Sequence, residues 1–190
     1  DQYGADALRF MLMTGITPGN DMRFQTEKIE GARNFANKLW NASRFVLMNV
    51  EEGQENPRLI SKEQAEANYR EEDRWILSRL NRVIGEVTGN LEKFELGMAG
   101  QKIYDFIWNE YCDWYIEIVK SRLYGEDGAD RDTAIFVLIQ VMRDMLKLLH
   151  PFMPFITEEI WSYLPGAEEE TMLIQASWPE VEEKRNDSPS

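Results

Sequence analysis

The sequence has very few residues of the kinds that bind metals or act as nucleophiles. Cys112 is the single cysteine and His150 the single histidine, which excludes an internal disulfide and leaves the usual Cys/His zinc site without ligands. No Gly-x-x-x-x-Gly-Lys phosphate loop and no Gly-x-Gly-x-x-Gly dinucleotide turn occurs. The sequence therefore predicts no metal, no cofactor and no catalytic residue in this chain.

Long apolar runs are also missing. No run approaches the roughly 18 residues that a membrane-spanning helix needs, so we expect no membrane contact. The chain starts at Asp1 without an initiator methionine, a basic leader or an apolar signal core. Such a start is typical of a segment of a longer protein, and we expect further sequence upstream.

Positive charge is scarce over the chain as a whole. Lys and Arg number 21 against 34 Asp and Glu, which gives a formal net charge of −13. This balance excludes a protein held to nucleic acid by overall charge, because phosphate binding draws on clustered cations. The exception is the interval 31–50, which contains Arg33, Lys38 and Arg44 and no acidic residue. An anionic partner is expected to bind there.

Apolar residues recur at spacings of three, four and seven along most of the chain, as amphipathic helices require. Clusters of Gly and Pro separate these stretches, and neither an internal repeat nor a βαβ alternation occurs. We predict an all-α fold, an antiparallel helical bundle, followed by a brief extended segment at 173–179. The predicted helices lie near residues 5–13, 26–50, 75–94, 98–124, 130–149 and 157–164.

The helix predicted from residue 26 has two different faces. At about 100° per residue, one side carries Ala32, Phe35, Ala36, Leu39, Val46 and Val50. An arc about 100° wide on the other side carries Arg33, Asn34, Asn37, Asn41 and Arg44, with Trp40 at its edge and Lys38 just beyond. We call these seven residues the donor face.

The donor face has the groups that an RNA loop needs. Arginine forms bidentate contacts with phosphate, asparagine can bond base edges, and an exposed tryptophan can stack on an unpaired base. A solvated helix face is the alternative explanation. It leaves unexplained why three asparagines, which lower helix propensity, stand in mid-helix.

Other reactive residues have structural explanations from the pattern alone. Cys112 is interpreted as a small buried hydrophobe and His150 as a helix-end residue that bonds terminal carbonyls. Glu110 and Asp113 are three residues apart and form either an acid–base pair or a polar helix edge. Trp114 is predicted to pack in the core.

Several stretches of the sequence resemble one enzyme family. The segment GARNFANKLWNASRFV, at 31–46, resembles the helix that opens the anticodon-binding domain of bacterial-type valyl-tRNA synthetases, which are class I enzymes. Similar stretches follow in the same order: YGADALRFML at 3–12, FIWNEYCDWYIEIVKSRLY at 106–124, LHPFMPFITEEIW at 149–161 and SWP at 177–179. Synthetases for isoleucine, leucine and methionine share looser versions, and the segment ANKLWN points to valine.

The resemblance implies a division of the chain into three parts. Residues 1–25 would form a short helix and loop that join the catalytic domain, in which Asp21 and Arg23 either help to orient the bundle or form a salt link within the loop. Residues 26–166 would form the helical-bundle anticodon-binding domain, and 167–190 a short extended segment and polar tail.

The resemblance also implies the partner and the site. The partner would be a valine tRNA, bound at its anticodon loop by the donor face: Arg33, Asn34, Asn37, Lys38, Trp40, Asn41 and Arg44. The catalytic domain of the same parent chain, which would use ATP and Mg²⁺, lies outside these residues, so this chain alone is expected to be non-catalytic and its parent cytoplasmic. Two alternatives stay open: the same domain of an isoleucyl-tRNA synthetase, and a helical module that binds an acidic protein rather than RNA.

Overall fold

The computed structural model describes residues 2–15, 26–51, 59–166 and 172–183. These parts of the chain are helical and contain no strand, which confirms the predicted all-α class. The elements are α1 (Gln2–Gly15), α2 (Thr26–Glu51), α3 (Lys62–Glu66), α4 (Glu71–Glu92), α5 (Leu96–Asp105), a π-helical segment (Phe106–Tyr115), α6 (Ile116–Leu123), α7 (Ala129–Leu149), α8 (Pro154–Tyr163) and a 3₁₀ turn (Leu173–Gln175).

Helix α2 runs over nearly the residues that the pattern predicts. It begins at Thr26 and has Glu27 in its first turn, where an acid interacts favourably with the helix dipole. The side chains predicted to pack are buried, with Phe35 and Leu39 fully inside the core. The predicted roles of Asp21 and Arg23 concern residues that lie outside the described parts of the chain.

The polar stretch before α4 is more ordered than its composition suggests. Ser61 caps the short helix α3 in a reciprocal box, since its hydroxyl accepts from the Gln64 backbone N–H and the Gln64 side chain accepts from the Ser61 N–H. Helix α4 then begins at Glu71, earlier than predicted, and Asp73 accepts a hydrogen bond of 2.9 Å from the Arg70 backbone N–H.

Helix α5, the π-helical segment and α6 join into one continuous helix, which we call the long helix. Its middle is wider than an α-helix, as the bond from the Ile116 N–H to the Tyr111 carbonyl, five residues back, shows. The extra residue per turn rotates the later positions away from the α-helical register. The prediction that Trp114 lies in the core is therefore wrong: its side chain is 38% exposed.

The core is centred on α7. Its apolar residues, including Leu138, Met142 and Met145, are fully buried among the surrounding helices. The Tyr111 hydroxyl donates to the Leu138 carbonyl over 2.8 Å, which satisfies the one polar atom of that buried ring. The long helix and α7 therefore pack through both apolar contacts and a buried hydrogen bond.

A buried ionic cluster fixes the far end of the long helix. Arg122 donates to both carboxylate oxygens of Asp73, at 2.8 and 2.9 Å, and also to Asp130 at 2.9 Å. The Tyr115 hydroxyl donates to the same Asp73 carboxylate over 2.5 Å. Asp130 lies in the first turn of α7 and bonds Arg122, and Gly128 occupies the cap position of that helix.

Helix α1 is attached to the start of α8. The Asp6 carboxylate accepts from the backbone N–H groups of Phe155 and Ile156, at 3.1 and 2.7 Å, so it serves the unpaired donors of the α8 N-terminus. Arg9 donates to the Pro151 carbonyl over 2.8 Å. Pro154 is the first residue of α8, which therefore begins before the predicted Thr157.

The C-terminal segment lies along α4 and α8. Trp178 donates its ring N–H to the Thr88 hydroxyl over 2.9 Å, and the Glu182 backbone bonds Asn81 in both directions. Glu158 accepts from the Leu173 backbone N–H. The predicted extended segment therefore contains a 3₁₀ turn at its start.

Candidate nucleic-acid interface

The donor face of α2 is open to solvent along most of its length. Its members Arg33, Asn34, Asn37, Asn41 and Arg44 are all exposed. They alternate with the buried positions of the same helix, from Ala32 to Val50. The structure therefore brings together, on one exposed surface, the guanidinium and amide groups that the sequence analysis selected.

The two arginines of this surface, Arg33 and Arg44, form no ion pair with the described residues. By contrast, Arg79, Arg122 and Arg131 each pair with a carboxylate. An unpaired exposed guanidinium retains all five N–H donors for a ligand. The planar guanidinium groups of this surface are therefore available to an anionic group such as phosphate.

Lys38 lies at the edge of the donor face and is not free. It forms an ion pair with Asp113 of the long helix, and its ammonium group lies 4.7 Å from the centre of the Trp108 ring. This contact fixes the position of α2 against the long helix. Sequence reasoning did not predict this contact, because Lys38 and Asp113 are far apart in the chain.

Trp40 is the second donor-face residue, after Lys38, whose side chain is not fully exposed to solvent. It is half-buried and packs against the apolar core. Its backbone carbonyl accepts from the Ser43 hydroxyl over 2.7 Å. Part of its ring therefore stabilises α2, and only the remaining edge is accessible to a base.

A third contact between α2 and the long helix lies one to two turns further along. Phe45 is half-buried, and the Lys120 ammonium group lies 5.6 Å from the centre of its ring. Lys120 also bonds Glu117 over 2.7 Å. The donor face is therefore bordered by a cation–ring contact to the long helix, which sequence reasoning missed because it treated each helix separately.

The two carboxylates considered as an acid–base pair point to different neighbours. Glu110 accepts two hydrogen bonds from Arg79 of α4, at 2.7 and 3.0 Å. Asp113 pairs with Lys38 of α2 on the other flank. Both therefore link helices, which agrees with the structural explanation rather than with acid–base catalysis.

The single cysteine and histidine also have structural surroundings. Cys112 is buried, as predicted, and burial raises the pKa of its thiol to about 12, so the reactive thiolate is disfavoured. His150 was predicted to bond terminal carbonyls; instead its Nδ1 lies 2.9 Å from the Thr157 hydroxyl. Burial lowers the pKa of this imidazole below its ordinary value.

The described residues hold no group of three or more His, Cys, Asp or Glu side chains placed to bind a metal ion. Among the described helices, none is long and apolar enough to cross a membrane.

Comparison with known proteins gives a family for this arrangement. Residues 73–189 match the family model of the anticodon-binding domain of tRNA ligase. The chain is 57% identical over 184 residues to a valine–tRNA ligase of Clostridium tetani, covering 97% of this chain and 20% of that protein. It is 56% identical over 190 residues to that of Clostridium acetobutylicum, covering 100% of this chain and 21% of the relative. The chain thus spans about a fifth of the length of these relatives.

A solved structure shares the fold. It is a chain from a ternary complex of LeuRS, tRNA and LeuAMS from Agrobacterium radiobacter, with a TM-score of 0.69 and 20% sequence identity, covering 98% of this chain and 21% of that one. At this identity the likeness concerns the arrangement of helices. With the family model matched over most of the bundle, the chain belongs to the family of anticodon-binding domains of tRNA ligases.

Proposed function

We propose that this chain is the anticodon-binding part of a valine–tRNA ligase and that the donor face of α2 contacts the anticodon loop. The observation that carries the proposal is the exposure of Arg33 and Arg44, both without an ion pair among the described residues, in a chain whose residues 73–189 match this family. In a chain of net charge −13, such a surface selects an anionic ligand locally.

The roles of the donor-face residues follow from their chemistry. Arg33 and Arg44 would contact phosphates, which positions the RNA without reading its sequence. Asn34, Asn37 and Asn41 would bond base edges of an unpaired loop, where Watson–Crick edges are accessible. Lys38 and the exposed edge of Trp40 would contribute a charge and a partial stacking surface at the border.

Valine is favoured over isoleucine by the relatives, which are named as valine–tRNA ligases and match the whole chain. The genetic code fixes the middle and last anticodon bases of a valine tRNA as A and C. These are the bases that the three asparagines would discriminate. The family match also argues against the alternative of a helical module that binds an acidic protein.

Within the parent enzyme, this chain would act by positioning. Binding of the anticodon loop would place the acceptor end of the tRNA in a distant catalytic domain, which would use valine, ATP and Mg²⁺. The isolated chain is expected to be inert in aminoacylation, and the parent to function in the cytoplasm.

The test is a set of binding measurements on the full-length enzyme. Arg33→Ala and Arg44→Ala should weaken binding of a valine tRNA, and each lost phosphate contact should flatten the log–log salt dependence by about one unit. Asn37→Ala and Asn41→Ala should instead narrow the preference for the cognate loop over one with a changed middle base. A paired base contact would account for about 1–3 kcal/mol of that preference.

Lys93→Ala is the matched control, because Lys93 is an exposed cation at the far end of α4 without an ion pair among the described residues. It should bind tRNA like the wild type. Unchanged affinity, salt slope and discrimination in all four α2 variants would show that the donor face is only a solvated helix surface.

A further inference from the structure

Two tryptophans of different helices form an exposed pair. Trp75 of α4 and Trp114 of the long helix have ring centres 4.1 Å apart, with planes inclined by 52°. Their side chains are 36% and 38% exposed. Large aromatic rings usually dominate a core, so an exposed pair in direct contact is a feature that folding alone does not explain.

The pair is held in place by a neighbouring ion pair. Arg79 lies one turn after Trp75 on α4, and its partner Glu110 lies one turn before Trp114 on the long helix. The two cross-links, aromatic and ionic, therefore follow each other along the junction of two antiparallel helices. The rings are consequently positioned by the scaffold rather than by their mutual contact alone.

The pair is continuous with the donor face of α2. Asp113, which precedes Trp114, forms the ion pair with Lys38. The long helix thus has α2 on one flank, through Lys38, and α4 on the other, through Trp75. A ligand that lies on α2 and extends across the long helix meets the tryptophan pair next.

One unpaired cation lies on the same face of α4 as the pair. Arg82 is exposed and forms no ion pair among the described residues, whereas Glu71, an exposed acid, lies one turn before Trp75. Arg82 lies seven residues after Trp75, on the same face of the helix. The carboxylates on the side of the long helix are each paired with a cation: Glu110 with Arg79, Asp113 with Lys38 and Glu117 with Lys120.

We propose that the Trp75–Trp114 pair, with Arg82 on the same face of α4, is a second contact for the tRNA held by the donor face, at which an unpaired base stacks. The proposal rests on the proposed function. Stacking on an aromatic ring suits any base, and a guanidinium beside it can bond the adjoining phosphate. This site would therefore add affinity and orientation with little base selectivity, in contrast to the asparagines of α2.

The test measures binding of a valine tRNA to the full-length enzyme at two salt concentrations. Trp114→Ala should weaken binding by roughly 5- to 150-fold, the range for loss of one stacked base. Trp114→Phe should recover most of the affinity, because it keeps an aromatic face. Arg82→Ala should weaken binding and flatten the log–log salt slope by about one unit. Each of these variants should weaken binding of a tRNA with a changed middle anticodon base by the same factor as it weakens binding of the valine tRNA.

Two residues at the end of α4 are matched controls for these changes. Lys93 is an exposed cation, and Phe94 is an aromatic side chain that is 88% exposed. Lys93→Ala therefore removes a positive charge, and Phe94→Ala an aromatic ring, outside the proposed site. Both should bind like the wild type. Thermal melting checks the fold of Trp114→Ala. If Trp114→Ala is unstable, the binding of Arg82→Ala tests the tryptophan site instead, since Arg82 forms no ion pair with the described residues.

The outcomes separate the two proposals. If Arg33→Ala weakens binding while Trp114→Ala and Arg82→Ala do not, the tryptophan site is refuted and the proposed function stands. If the wild-type enzyme does not bind valine tRNA, the proposed function itself fails. Weakening by all three variants, with unaffected controls, supports a surface that extends from α2 to α4.

Discussion

At the scale of single residues, Arg122 illustrates how the bundle tolerates a charge in its interior. Its side chain is 2% exposed and Asp73 is fully buried, so each ion depends on the other for compensation. Tyr115 adds a hydrogen bond to the same carboxylate, and burial beside Asp73 raises the pKa of this phenol well above its ordinary range. The cluster ties the starts of α4 and α7 to the end of the long helix.

Removing one member of this cluster should be costly. Asp73→Ala leaves the Arg122 guanidinium buried with part of its bonding lost, and we expect a loss of about 3–5 kcal/mol in the free energy of unfolding. Urea denaturation of the chain measures it. The double variant Asp73→Ala/Arg122→Met should be less destabilised than the sum of the single changes, whereas strict additivity would show that the two ions are not coupled.

His150 should give the fold a measurable pH dependence. Burial is the main cause of its lowered pKa and outweighs the opposing carboxylates of Glu158 and Asp6. As the pH falls below 6.5, the ordinary pKa of histidine, the imidazole is protonated in the unfolded chain before it is protonated in the folded chain. The free energy of unfolding therefore rises with pH up to about that value. Because the chain has a single histidine, the variant His150→Gln isolates this contribution.

The measurement is the melting temperature of wild type and His150→Gln between about pH 5 and 7.5. The melting temperature of the wild type minus that of His150→Gln should decrease as the pH falls, because only the wild type loses stability through the imidazole. Parallel curves would mean that the imidazole has the same proton affinity in the folded and unfolded chain.

At the scale of elements, α2 and the long helix differ in how far the sequence could specify them. The faces of α2 were predicted correctly, since regular α-helical periodicity relates Phe35 and Leu39 on one side and Asn37 and Asn41 on the other. The long helix was predicted as one regular helix, and its π-helical middle rotated Trp114 out of the core. Periodicity alone does not reveal one inserted residue per turn.

The contacts between helices could not be predicted from the sequence, for a different reason. The pairs Lys38–Asp113, Arg79–Glu110 and Arg122–Asp73 join residues on separate helices. Which charges meet depends on how the helices are placed, and composition contains no such information. The donor face could be selected from one helix, whereas the contacts of Lys38 and Phe45 beside it and the tryptophan pair could not.

The rotation of the long helix has a direct consequence for stability. Trp161 of α8 is 1% exposed, so Trp161→Ala should cost about 3–5 kcal/mol, as for other large aromatic core residues. Trp114→Ala should cost clearly less, because over a third of its side chain is already in water. Denaturation of both variants under the same conditions provides the comparison. An equal or greater loss for Trp114→Ala would place that ring in the core after all.

At the scale of the whole molecule, the distribution of charge matters more than its sum. Most described cations are paired with carboxylates or lie against carbonyls and rings, as Arg70, Arg143 and Lys147 do. Arg33 and Arg44 of α2 and Arg82 of α4 are exceptions, because they form no ion pair among the described residues. An acidic surround would oppose indiscriminate RNA binding, while these unpaired groups would attract phosphate where the shape of the ligand fits.

The central claim is that the donor face of α2 lies against the anticodon loop. The most direct measurement is photo-crosslinking: a photoreactive amino acid replaces Asn37 in the full-length enzyme, and the crosslinked nucleotide of a valine tRNA is then mapped. The matched control carries the same group at Val181, an exposed residue that lies against Gly85 on the flank of α4 away from the long helix. We expect the Asn37 position to crosslink to the anticodon loop and the Val181 position to give little product. Crosslinks from position 37 to the acceptor stem, or no more product than from position 181, would contradict the account.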